Sequence, residues 1–145
     1  MNRKEALKLC ALIELEYPRT YRDLDDDTRE AVVKNWQTTF SSVNFLVMQM
    51  AFDAFRKRSK FPPKTADMID ELRAIYEWAF DRSYSLFDRE DEDLQRRCRF
   101  LMAQTERYSK RHMEYSGVSV DLLNAIPEGL LEAHASQPQL TEAQT

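Results

Sequence analysis

The stretch Lys60-Phe61-Pro62-Pro63-Lys64-Thr65-Ala66-Asp67-Met68-Ile69 decides how this chain is organised. Proline lacks a backbone donor and biases the residue before it away from helix, so Pro62-Pro63 marks a firm boundary between two helices. Thr65 stands where an N-cap belongs, and Asp67 falls in the first turn, where it complements the helix dipole. Upstream, Ser41 or Ser42 is the expected cap of a helix that is apolar nearly all round, from Val43 to Phe55. Such a helix belongs at the centre of a bundle. Its Met and Phe content alternatively suits an adaptable binding surface. It ends in Arg56, Lys57, Arg58 and Lys60, and with Lys64 these make five positive charges in nine residues with no negative one. Cations at a helix C-terminus favour the dipole. The sharper reading is contact with a phosphate or an acidic partner, with Phe61 available to stack.

Working outward, Asn2 and Glu5 have the spacing of a capping box. Ala6, Leu9, Cys10, Ile13 and Tyr17 then form an amphipathic stripe that Pro18 ends, with Leu7, Leu12 and Leu15 widening the apolar face. The acidic run 23–27 leads into a second helix carrying Val32, Val33, Trp36 and Phe40. Carboxylates suit a helix start, and the EF-hand register and its glycine are missing. After the prolines, Met68, Ile69, Leu72, Ile75, Tyr76, Ala79 and Phe80 predict a helix running to about Phe87. The acidic run 88–93 is a break or the start of another helix, in which Leu94, Cys98, Leu101, Thr105 and Tyr108 recur on one face. Two antiparallel helices joined near 88–93 follow. Beyond Gly117 a short helix over 118–126 is expected to stop at Pro127 and Gly129, with Leu130 and Leu131 the last apolar pair before a polar, disordered tail. The expected fold is all-α: a small bundle of about five helices with a flexible C-terminal tail. Its divisions are a helical domain over 1–87, an additional helix packed on it over 88–115, and a short helix with the tail over 116–145.

Composition narrows the function. The 145 residues are 43% hydrophobic and 32% charged, enough for one core under a well-solvated surface. A net charge of -4 gives no general attraction to nucleic acid, so any such contact must be local. Gly117 and Gly129 are the only glycines, too few for a phosphate-cradling loop or for hairpin turns. Cys10 and Cys98 lie far apart among apolar residues, as buried thiols do. No apolar run resembles a signal peptide or a membrane span, so a cytoplasmic protein without a membrane partner is expected.

No constellation of catalytic residues emerges. His112 and His134 are the only histidines, and neither has a partner at zinc-ligand spacing. The motif G-x-S-x-G is missing, and the many carboxylates fall on charged helix faces. We expect no catalytic residue, no cofactor and no metal. Arg56, Lys57, Arg58, Lys60 and Lys64 remain as a candidate basic patch for nonspecific DNA contact, and a nucleic-acid-binding replication or regulatory module is the alternative function.

Several segments, in order, resemble the replicative helicase loader/inhibitor proteins of bacteriophages and prophages. They are a first helix ending in Glu16-Tyr17-Pro18, an aspartate-led second helix with Trp36, and a third helix through Ala51-Phe52 to a basic end. Lys60-Phe61-Pro62-Pro63 and Ala66-Asp67-Met68-Ile69 follow, so the resemblance covers about residues 3–75. It implies a protein that is not an enzyme and that binds a hexameric DnaB-type replicative helicase, inhibits it, and delivers it to an origin-binding initiator. It associates the helicase contact with the C-terminal region and leaves the helical domain to the initiator. Leu130, Leu131 and Leu140 are the candidate apolar anchors there, because a segment that orders on binding needs apolar side chains to bury.

Overall fold

The computed structural model describes residues 1–85, 89–115, 125 and 127–135. The protein is all-α, with no strand among the described residues. Five longer helices come first: α1 Arg3–Glu16, α2 Asp26–Thr39, α3 Phe45–Arg56, α4 Thr65–Ser83 and α5 Glu92–Thr105. A short 3-10 turn, Glu106–Tyr108, continues α5, and α6 Lys110–Tyr115 and α7 Glu128–Ala135 follow. Met1–Ser109 form one compact unit and Lys110–Thr145 a second.

Local chemistry sets the helix starts. The Asn2 side chain accepts from the Glu5 N–H while the Glu5 carboxylate accepts from the Asn2 N–H, each at 2.9 Å. Asp25 caps α2 by accepting from the Thr28 N–H at 2.7 Å, and Asp91 caps α5 from the Leu94 N–H at 3.0 Å. Two expected caps are corrected. Asn44, not Ser41 or Ser42, caps α3, because the chain makes one more turn after Phe40 before its backbone becomes helical. At α4 the cap position is Lys64 rather than Thr65, and the Asp67 carboxylate closes the end by accepting from the Lys64 N–H at 2.8 Å. Helix α4 also stops at Ser83, short of the expected end. The Ser83 hydroxyl donates to the Phe80 carbonyl, a local bond that competes with the helical ladder.

The core of the first unit gathers the predicted stripes. Ala6, Leu9, Cys10 and Ile13 of α1 meet Val33, Trp36 and Phe40, and then Val47, Met48, Ala51, Phe52 and Phe55 of α3. Met68, Leu72 and Ala79 of α4 and Cys98, Leu101 and Tyr108 complete it. Trp36 stacks on Phe40 at 5.6 Å between ring centroids, and Tyr17 meets Phe52 edge-on at 6.5 Å. The two cysteines are buried and form no disulfide.

Helix α5 runs antiparallel to α4, since Arg73 reaches the Tyr108 carbonyl while Trp78 shares a groove with Leu101. Its far end ties down the turn between α2 and α3. The Tyr108 hydroxyl donates to the Thr39 carbonyl at 2.7 Å, and the Asn44 N–H donates to Gln104 at 2.7 Å. The same turn holds the α-amino group of Met1, which donates to the carbonyls of Phe40, Ser41 and Val43 at 3.1, 2.8 and 2.8 Å. One ammonium thereby satisfies three acceptors at the end of α2.

Candidate partner-binding surfaces

Helix α3 is not apolar for burial alone. It buries Val47, Met48, Ala51, Phe52 and Phe55, yet turns Leu46, Met50 and Ala54 to solvent along one ridge. The expected core role holds for one face, and the other face is open to solvent. A groove of about 350 Å³ runs along one side of the ridge between α1 and α3, lined by Leu12, Leu15, Leu46, Met50 and Phe52. A second, of about 320 Å³, lies on the other side, where Met50 and Ala54 face Ala74, Ile75, Trp78 and Leu101. Trp78 is 48% exposed, with the Arg82 guanidinium 5.3 Å from its ring centre. Tryptophan, methionine and arginine are the residues that protein interfaces favour.

The basic patch separates into two kinds of charge. Arg56 pairs with Asp53 at 2.9 Å and with Glu16 at 3.4 Å. Arg58 pairs with Glu71, whose side chain is only 7% exposed. Both arginines therefore have acidic partners within the fold. Lys57, Lys60 and Lys64 are exposed, and no acid among the described residues pairs with them. Phe61 stands among them, 77% exposed.

In the second unit, α7 carries Leu130 and Leu131 at 61% and 50% exposure. Gly129 lies within α7, a helix that the sequence reading did not expect. Pro127 lies just before α7, where a missing N–H costs nothing, and its carbonyl accepts from the Leu130 N–H at 3.0 Å. The expected helix over 118–126, Leu140 and the polar tail lie outside the described residues, apart from residue 125. Sequence reading missed the α3 ridge with Trp78. The i, i+4, i+8 spacing of Leu46, Met50 and Ala54 was its signal, hidden because the opposite face of the helix is apolar too.

The Glu14 carboxylate accepts from the N–H groups of Arg19 and Tyr21 at 3.0 and 2.8 Å, shaping the turn after Pro18, where Arg19 has a φ of 76°. Burial pushes the Cys10 thiol up to about 11 and the Tyr21 phenol up to about 12. Such a thiol stays protonated and a poor nucleophile at neutral pH. Among the described residues no three His, Cys, Asp or Glu side chains are grouped as metal ligands, and no helix is long and apolar enough to cross a membrane.

Residues 1–69 match the family model of the N-terminal domain of the phage gp39P protein, a helicase loader/inhibitor of DnaB. The match covers α1, α2, α3, the Phe-Pro-Pro junction and the first turn of α4. Comparison with curated proteins and with solved structures returns no match. The resemblance expected over 3–75 is thus found over 1–69, and this part of the chain is similar to the N-terminal domain of the gp39P phage helicase loader/inhibitor proteins.

Proposed function

We propose that this protein is a cytoplasmic, non-catalytic accessory factor of phage DNA replication that binds a hexameric DnaB-type helicase, holds it inactive and delivers it to an origin-bound initiator. The match of residues 1–69 to the gp39P N-terminal domain carries this reading. The second unit supports a division of labour. Exposed Leu130 and Leu131 on an eight-residue helix offer apolar area that a large partner can bury, and Leu140 extends the candidate anchor set. The helical unit is then left for the initiator, with the ridge of Leu46 and Met50 beside Trp78 as its surface.

The deciding experiment mixes the purified chain with the cognate hexameric helicase and measures complex mass and ATPase rate. Complex formation with a lowered ATPase rate is expected. Deleting residues 118–145, or combining Leu130→Glu with Leu131→Glu, should abolish the complex while the helical content of the first unit persists. Undiminished binding by the truncated chain would falsify the assignment of the helicase contact. Met50→Glu with Trp78→Ala should instead leave helicase binding intact and weaken capture of the initiator.

A further inference from the structure

We propose that the loop over 57–64 binds single-stranded nucleic acid, its three lysines holding backbone phosphates while Phe61 stacks on a base. The first argument is which charges the fold leaves open. Arg56 and Arg58 are neutralised by Asp53, Glu16 and Glu71. Lys57, Lys60 and Lys64 have no such acid among the described residues.

Helix stability accounts for only part of this charge. Lys57 sits at the C-cap of α3, where a cation is favoured. Lys64 sits at the N-cap of α4, where the helix dipole repels a cation. Local stability therefore gives no reason for Lys64, and a bound anion does.

Phe61 is held outward by construction. The Ser59 hydroxyl donates to the Phe61 carbonyl at 2.9 Å and accepts from the Phe61 N–H at 3.2 Å. The Tyr17 hydroxyl donates to the Ser59 carbonyl at 2.9 Å, and buried Pro63 anchors the far side. A braced loop loses little entropy when a ligand arrives. Its open ring face accepts any base, and lysine is a point charge suited to phosphate without reading sequence. A protein partner fits less well, because lysine is depleted at protein interfaces.

The test is fluorescence anisotropy with a labelled oligo-dT, a duplex of equal length and polyglutamate as competitor, with no helicase present, so that its outcome is separate from the helicase reading. Saturable oligo-dT binding is expected, with a slope of log affinity against log salt near about -2 for three phosphates. Combining Lys57→Ala, Lys60→Ala and Lys64→Ala should remove binding and its salt dependence. Phe61→Ala should weaken binding about tenfold at an unchanged slope, and Phe61→Trp should restore it. Arg96→Ala with Arg97→Ala, on the exposed face of α5, should change nothing. No saturable binding at low salt, equal affinity for duplex, equal displacement by polyglutamate, or indifference to Phe61→Ala would each overturn the proposal. All four side chains are exposed, and circular dichroism checks that the variants remain folded.

Discussion

The guanidinium of Arg58, 62% exposed, reaches the carboxylate of Glu71, which α4 holds at 7% exposure among apolar neighbours. The pair spans the proline junction and fastens the basic end of α3 to the second turn of α4. A buried carboxylate without a partner is costly, so removing the solvent-side arginine strands the Glu71 charge, and neutralising the acid relieves that cost. Arg58→Ala should destabilise the protein by about 1–3 kcal/mol. Adding Glu71→Gln should recover part of that loss, read as the urea midpoint of the single and double variants. An Arg58→Ala protein as stable as the parent would show that water already satisfies Glu71.

Met48 and Met50 lie two residues apart on α3 and face opposite ways, one wholly buried and one 41% exposed. Met48→Ala leaves a cavity in the core of the first unit and should cost about 2–5 kcal/mol. Met50→Ala removes a side chain that is already 41% exposed and should cost clearly less, about 1 kcal/mol or below. Thermal melts of the two variants, side by side, test the orientation of the ridge.

The Met1 ammonium provides three donors to the α2–α3 turn. An affinity tag fused directly ahead of Met1 replaces that ammonium with a peptide N–H, which has one donor. The N-terminally tagged protein should melt several degrees below a C-terminally tagged one, a loss of about 1–2 kcal/mol. Equal melting temperatures would show that the turn holds without it.

Acid weakens the cap of α2 and the ion pairs in the first turn of α5. Hydrogen bonding to Thr28 holds the Asp25 carboxyl below its ordinary value, and the Arg96 hydrogen bond together with Arg97 does the same for Asp93. A depressed folded-state value adds stability above the unfolded value, about 3.9, which is lost as pH falls through the folded one. Stability should therefore decline below about pH 4. Asp25→Asn keeps a capping oxygen and should flatten part of that decline, as followed by the urea midpoint against pH.

The alkaline side has the opposite sign. Cys10 is raised from an ordinary 9.0 to about 11, and Tyr21 from 10.0 to about 12, both chiefly by burial. Each group stays neutral in the folded chain while its unfolded counterpart ionises, so their stability is fully present below pH 9 and drains away between 9 and 12. Cys10→Ser tests a share of this, and reaction of the native protein with a thiol reagent at pH 8 should proceed only at the unfolding rate.

Much of this architecture was legible one helix at a time. The stripe of Ala6, Leu9, Cys10 and Ile13, the Asn2–Glu5 box and the face running from Cys98 to Tyr108 follow from spacing that repeats within a few residues. The errors were equally local. Ser41 and Ser42 have the chemistry of a cap, but Asn44 stands where the backbone turns helical. Ser83 looked like helix interior and ends the helix instead.

Sequence alone determined that the chain is helical, that Pro62-Pro63 divides two helices, and that the first half resembles a helicase loader/inhibitor domain. Periodicity, capping and proline stereochemistry act between near neighbours and can be read in one dimension. Which side of α3 faces water, and which cations of its basic end stay open, depends on how the helices pack. Met50 shares a groove with Trp78 from another helix, and Glu16 reaches Arg56 from 40 residues away. Such contacts join segments whose separation along the chain says nothing about their distance in space, and they decide which charges a partner can reach.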